Sequence, residues 1–374
     1  MNRRSILLGA SALGLFAASL AQADTVTLTD IAGRQVQVET PVQRVILGEG
    51  RQAFFTAVLE TEDPFARVVG WRDDFKQADP DTYAAYQAKF PQIDAIPTFG
   101  GFKEGTFDIE QAVSLDPDVM ILNLEAKAAT DEAGYEEKLA AVGIPIVYVD
   151  FREKPFEHTA RSMELIGQLY GKEDRAAEFN AFFTEQMGKV QSVIAAQTDL
   201  TRPLVFVERA GGYSEDCCMS FGAENFGRMV EEAGGTNMAT PFIPATFGTV
   251  NAEQIVASNP DAIIVTGGNW EAYVPGGAWV GVAPGANMGV AKDKLGALMQ
   301  RPAFVGTKAV KNGQVHAIWH QFYNNPYSFV AVQQIAKWLH PDLFADLDPE
   351  AALKELHARF LPVEYKPGYW VSLN

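Results

Sequence analysis

The sequence predicts an α/β protein of two similar lobes with mainly parallel sheets, joined by one long α-helix. Three observations lead there. One pattern occurs twice: Asp108-Ile109-Glu110-Gln111 runs on to Pro117-Asp118-Val119-Met120-Ile121-Leu122, and Asn251-Ala252-Glu253-Gln254 runs on to Pro260-Asp261-Ala262-Ile263-Ile264-Val265. Each copy offers an Asx residue to cap a helix, a Glu in its first turn and a Gln at its third position. A short helix, a Pro-Asp break and an apolar strand follow, with the same Glu-to-Pro spacing in both. Strand and helix signals also alternate through both halves, the order that builds parallel sheets. Between the halves, Glu173 to Gln197 contains no Pro and only Gly188, with apolar positions at Ala177, Phe179, Phe182, Met187, Val190 and Ile194. At 1.5 Å per residue this is roughly 35–40 Å of helix, a stiff connector.

The elements follow in order. Thr25 to Thr29 and Gln35 to Glu39 alternate apolar and polar residues around Asp30-Ile31-Ala32-Gly33-Arg34, a hairpin pattern. Pro41 resets the chain before the strand Arg44 to Gly48. A helix over Gln52 to Leu59, a strand at Val68 to Trp71, the first repeated unit and the strand Ile144 to Val149 come next. Phe156 to Tyr170 is helical and ends at Gly171. After the connector, Pro203 precedes the strand Leu204 to Val207, and the second repeated unit follows. Gly267 to Asn287 is a loop rich in Gly and aromatics; a strand over Gln314 to Trp319 and helices over Ser328 to Leu339 and Pro349 to Phe360 close the chain. The predicted division is therefore a first lobe over residues 24–172, a connecting helix over 173–197 and a second lobe over 198–374.

Met1 to Ala23 reads as an export signal. Arg3 and Arg4 supply the positive end, Ser5 to Leu20 the apolar stretch, and Ala21-Gln22-Ala23 the small-residue cleavage site. Both the general secretory and the twin-arginine routes are compatible with it. The formal charge is −17, and loss of the two arginines in that segment takes it to −19. A surface so acidic repels nucleic acid and anionic lipid, which excludes a nucleic-acid partner. The only cysteines are neighbours, Cys217 and Cys218. They form no Cys-x-x-Cys motif; a vicinal disulfide, buried thiols or a soft-metal site remain open, with a structural role in a tight loop favoured.

In parallel sheets, ligands bind beyond the carboxyl ends of the strands. At those ends lie Arg51, Trp71, Arg72, Arg209, Tyr213, Trp270, Trp319 and Tyr323. Guanidinium groups and large rings recurring in both halves suit a flat or anionic ligand held by stacking and charge-assisted hydrogen bonds, and these residues are the candidate ligand contacts. Enzyme signatures are missing: no Gly-x-Ser-x-Gly, no phosphate loop and no His-Glu-x-x-His. Of the five histidines, His316 and His320 fall on a strand pattern that puts them on one face but well separated. His158, His340 and His357 are scattered, so a three-histidine metal centre is unsupported.

Taken together, Asp30-x-x-Gly33-Arg34 with Pro41 and Arg44-Val45, the two Glu-to-Pro-Asp units, Glu231 to Asn237, and Ala309 to Val315 resemble one family over nearly the whole mature chain. This is the class III periplasmic substrate-binding proteins of ABC importers, carriers of ferric siderophores, haem and cobalamin. The resemblance implies two Rossmann-like lobes on one helix, ligand held between them with little closure, no cofactor and no catalysis. It also implies permease docking through one glutamate per lobe, and Glu110 and Glu253 fall on those motif positions. The expectation is a monomeric periplasmic receptor for an iron complex, with a ferric siderophore ahead of haem or cobalamin. Tyr213, Tyr323 or His320 would serve as axial ligands were the cargo haem. An exported enzyme built on the same two lobes is the rival class, and it requires an activated nucleophile or base in the cleft.

Overall fold

The computed structural model describes residues 24–374; the export segment read from Met1 to Ala23 lies outside the described residues. The hairpin pairs Asp24–Thr29 with Gln35–Thr40 antiparallel and caps the first lobe. That lobe contains a five-stranded sheet in the order Thr98–Phe99, Val68–Arg72, Val45–Leu47, Val119–Asn123, Ile146–Val149, all parallel. The second lobe repeats the plan in the order Thr236–Asn237, Leu204–Glu208, Ala262–Gly267, Val315–Trp319, and adds Trp370–Ser372 antiparallel at the edge. In each sheet the strand order reverses beside the first strand, so both sheets are Rossmann-like and each has a switch point where two strand ends diverge.

The repeated unit occupies the same place in both. Helix Ile109–Ser114 precedes strand Val119–Asn123, and helix Ala252–Ser258 precedes strand Ala262–Gly267. The Asp108 side chain accepts from the Gln111 amide, and the Asn251 side chain from that of Glu253 in a full capping box with Gln254. The Pro-Asp break has a job of its own. Asp118 accepts the Arg44 amide at 2.9 Å and Asp261 the Leu204 amide at 3.0 Å, each clamping the start of its lobe's first strand.

Helix Glu173–Ala195 links the lobes. It buries Phe179, Phe182, Phe183, Met187 and Val190 along one stripe, against Phe329 of helix Ser328–Leu339 and Phe360 of helix Pro349–Phe360. The lobes also touch directly. Phe54 packs edge-on against Trp319 at 5.7 Å and Tyr327 at 5.9 Å, inside one apolar cluster that draws residues from both sheets. Among the described residues no helix is long and apolar enough to cross a membrane.

Some elements were not legible. Met219–Phe221 and Phe247–Thr249 form an isolated antiparallel ribbon too short for a period-2 pattern. Helices Pro80–Lys89 and Met288–Leu298 have weakly sided sequences, and the helix expected from Gln52 begins as a 3₁₀ turn over Gly50–Gln52 before Ala53–Leu59. Cys217 and Cys218 sit side by side in the loop ahead of strand Met219–Phe221 with their sulfurs in contact, and Cys218 is fully buried.

Since one core serves both lobes, Phe54→Ala is expected to cost about 3–5 kcal/mol. In denaturant, signals from the first lobe and from the second should move together. Two separated transitions would show that the lobes fold independently.

Candidate functional site

The loop after the first strand carries Glu49, Gly50 and Arg51. A Cβ on Gly50 would meet the Arg72 carbonyl oxygen at 2.6 Å, so only glycine lets the chain pass here. That tight passage allows the Gly50 amide to donate to Asp74 Oδ1 at 2.5 Å while Arg51 Nε donates to Asp74 Oδ2 at 2.6 Å. The far end of Arg51 crosses to the second lobe, with Nη1 2.5 Å from the Tyr323 hydroxyl and 3.2 Å from Gln321 Oε1. Arg152 arrives from beyond strand Ile146–Val149. Its Nη2 donates to both Glu49 oxygens, at 2.7 and 2.9 Å, and its Nη1 bonds Glu125. Glu49 also accepts from Asn324 Nδ2 of the second lobe at 2.8 Å.

Charge is balanced in this half. Burial alone would lower the Arg51 and Arg152 guanidinium groups, but the tyrosine and carboxylates around them outweigh it and hold both well above the ordinary range. Burial would raise the Glu125 carboxyl, yet Arg152 and Lys103 draw it down to about 2. The three acids Glu49, Asp74 and Glu125 thus answer Arg51 and Arg152, with Lys103 on the outer side of Glu125.

The second lobe is not balanced. Arg209 follows strand Leu204–Glu208 and lies over the Phe247 ring at 4.8 Å. Its Nη1 reaches only the Met219 thioether at 3.8 Å, its Nε has no partner, and no carboxylate pairs with it among the described residues. Burial lowers its affinity for the proton, Arg152 and Arg51 push the same way, and Tyr323 and Glu125 oppose them. Beside it His320 is 6% exposed, its ring 4.4 Å from that of Tyr323. Burial, together with Arg209, Arg51 and Arg152, holds this imidazole far below its usual pKa, so it is neutral. The Thr266 hydroxyl takes the Ala210 amide at 2.9 Å and lies 3.4 Å from the Glu208 carbonyl oxygen. It is also 2.8 Å from His320 Nδ1, a contact that orients the ring. Trp270 packs edge-on to His320 at 5.6 Å and to Tyr213 at 5.7 Å, extending the wall of rings.

Of the eight candidate contacts, Arg51, Arg209 and Tyr323 converge here, with Trp270 and half-buried Tyr213 along the wall. Arg72 stays at the rim on Glu104, 2.8 Å away. Trp71 and Trp319 are corrections. Trp71 is 3% exposed against Phe65 and Phe75, and Trp319 is 3% exposed against Phe54, Phe322 and Tyr369. Both rings complete the core because successive strand residues point to opposite faces. Glu110 and Glu253 are exposed and have no ion-pair partner among the described residues. His316 stacks on Trp338 at 4.4 Å, while His320 sits in the 3₁₀ turn His320–Asn324 rather than on the strand. No group of three His, Cys, Asp or Glu side chains able to hold a metal occurs among the described residues. Arg152 was missed although it follows a strand end, the same signal that found Arg51. A hollow of about 400 Å³ beside Arg34, Gln37, Glu136 and Pro145 lies at the starting end of strand Ile146–Val149. Its arginine is already paired with Asp30 and Glu136, so it has neither free charge nor a ring wall.

This arrangement has known relatives. Residues 73–320 match the family model described as periplasmic binding protein. The chain belongs to the periplasmic binding protein family. No curated protein matches it in sequence. Among solved structures, the binding protein is similar to the TroA-like periplasmic binding protein FepB from Veillonella parvula, at 28% identity and a TM-score of 0.84, covering 93% of this chain and all (100%) of that one. The Haemophilus influenzae protein MolA, bound to molybdate, matches at 18% identity and 0.68, over 91% and 99% of the two chains. The Helicobacter pylori protein CeuE matches at 16% and 0.66, over 91% and 97%. The binding protein is thus of the class III, TroA-like kind that serves ABC importers. Proteins of this family bind a solute and pass it to a permease, and they bind ligands rather than cofactors.

One titration follows from the seam beneath Arg51. Gln321 Nε2 donates to the Ala78 carbonyl at 2.9 Å, and the adjacent Asp79 is 3% exposed with Oδ2 unpartnered. Burial pushes its carboxyl up to about 7. The folded state therefore favours the protonated acid. That stabilisation is complete below about pH 4, the ordinary carboxylate range, and is lost as pH rises toward about 7. Asp79→Asn should remove this decline and be more stable than wild type at pH 8, by on the order of 3 kcal/mol. Parallel urea titrations from pH 4 to 8 check it; identical curves for the two proteins would refute it.

Proposed function

We propose that the binding protein captures an anionic iron complex between its lobes, a ferric siderophore in the first instance, and delivers it to an ABC importer without altering it. The observation that carries this reading is Arg209. A guanidinium that is largely withdrawn from water and has no counter-ion is costly, and a bound anion relieves that cost. Arg51 and Arg152 face the same point, so negative charge arriving there meets three guanidinium groups, one of them uncommitted. For the metal, the Tyr323 hydroxyl and the neutral His320 imidazole offer oxygen and nitrogen of the kind iron accepts. Metal-bearing cargo also recurs among the structural neighbours, one bound to molybdate, one to Ni(II) and one a periplasmic heme-binding protein.

Delivery would use Glu110 and Glu253. Each sits in the first turn of a helix that runs back to begin the next parallel strand, so each lies toward the carboxyl end of its sheet, the end where the cleft residues gather. Both are exposed and unpaired, one per lobe. An exposed ion pair is worth about 0–1 kcal/mol, so the two would set register and steering rather than affinity.

Titration of the protein with ferric tris-catecholate, ferric trihydroxamate and haem, followed by tryptophan quenching, tests the cargo. Saturable binding of an anionic ferric chelate is expected, weakened about tenfold or more by Arg209→Gln through loss of a charge-assisted contact. A Soret shift with haem, and no response to either chelate, would overturn the siderophore assignment. In cells, Glu110→Arg combined with Glu253→Arg should abolish import while leaving the dissociation constant unchanged; undiminished uptake would remove the docking role.

A further inference from the structure

Asn225 is buried between the Arg152 and Tyr323 backbones, and the charges around it do not account for it. It precedes helix Phe226–Glu232, is 0% exposed and holds φ 57°, ψ −124°. Glycine adopts that backbone readily and other residues do so only under strain. Its Oδ1 accepts the Phe226 amide at 2.9 Å, a local cap. Its Nδ2 does something no cap requires. It donates to the Arg152 carbonyl at 2.5 Å and to the Tyr323 carbonyl at 2.8 Å. One carbonyl belongs to the first lobe and the other to the 3₁₀ turn His320–Asn324, and no other side chain bonds both among the described residues. The two residues so tied face each other, with the Arg152 guanidinium 5.0 Å from the centre of the Tyr323 ring.

We propose that Asn225 is a positioning residue for ligand recognition. Its amide fixes the separation at which Arg152 and Tyr323 are presented to a bound iron complex, and this keeps a side chain where the backbone would favour glycine. The inference rests on the reading of the cleft as the ligand site. Capping alone needs an oxygen, which aspartate also supplies; the cross-lobe tie needs two protons on one nitrogen, which only the amide supplies.

Asn225→Asp therefore keeps the acceptor and loses both donors, whereas Asn225→Gly relaxes the backbone and loses the whole side chain. The probe is ferric tris-catecholate at pH 7.5, with hydrogen exchange measured on the ligand-free protein. Both variants should exchange faster at residues 151–154 and 320–325 and bind the probe about tenfold more weakly, mainly through faster dissociation. Asn225→Gly guards against a folding artefact, since relief of the strained backbone should keep its Tm near that of the wild type. A capping role alone predicts wild-type exchange and affinity for Asn225→Asp, and that result would overturn the proposal. So would lower stability in both variants with unchanged affinity. Should the wild type itself bind no ferric complex, the functional reading falls, and exchange at the two segments still decides whether the tie exists.

Discussion

Phe54 sets its ring edge against Trp319 and Tyr327, and through those contacts the apolar core of one lobe continues into the other. Everything polar in the cleft depends on that continuity. Arg51, Arg152, Glu49 and Asp74 are each less than a tenth exposed, and ions so far from water are tolerable only when their partners are held at fixed distances. A hinge between the lobes would break Arg51 from Tyr323 and Glu49 from Asn324 at each opening and strand buried charges. The apolar seam, backed by the long helix and by Phe360 against it, makes the two halves one body. A ligand bound in the cleft, as proposed, would meet groups already in place and pay little to order them.

Within the fixed frame, the two arginines of the first lobe and the one of the second do different work. Arg51 and Arg152 are neutralised by Asp74, Glu49 and Glu125, so they add directed donors without adding net charge. Arg209 adds charge, held over a ring and beside a neutral imidazole. This division would reconcile an acidic protein with the anionic cargo proposed for it. The overall charge of −17 would repel an anion at long range, but over distances beyond about 10 Å that repulsion is screened at ordinary ionic strength. At contact, the local excess at Arg209 would decide.

Much of this could be read from the chain. The repeated unit, the connecting helix, and helices Ser328–Leu339 and Pro349–Phe360 all rest on local periodicity, caps and breaks, which a sequence displays. The strand-end rule selected Arg51, Arg209 and Tyr323, which the fold brings to one seam, because it needs only a strand and its direction. It failed for Trp71 and Trp319, since facing the cleft or the core is decided by one residue of register at a strand's end. It also could not distinguish a paired from an unpaired arginine. Pairing is settled by partners far apart in sequence, such as Glu49 and Arg152, that only the closed fold brings together.

The repeat itself separates folding from function. In both copies the Asx residue caps a helix, and the Asp of the Pro-Asp break binds the amide that starts the lobe's first strand, at Arg44 and at Leu204. These positions would be kept in a protein that bound nothing. The glutamate has no such duty: at Glu110 and Glu253 alike it is exposed and touches no basic side chain among the described residues. A favourable position in the helix dipole is worth about 0.3–1 kcal/mol, and an aspartate would serve as well there. What the dipole does not explain is one glutamate per lobe, both toward the cleft-bearing ends of their sheets. A partner with two related subunits, reading both lobes at once as proposed, would account for that placement with a single requirement.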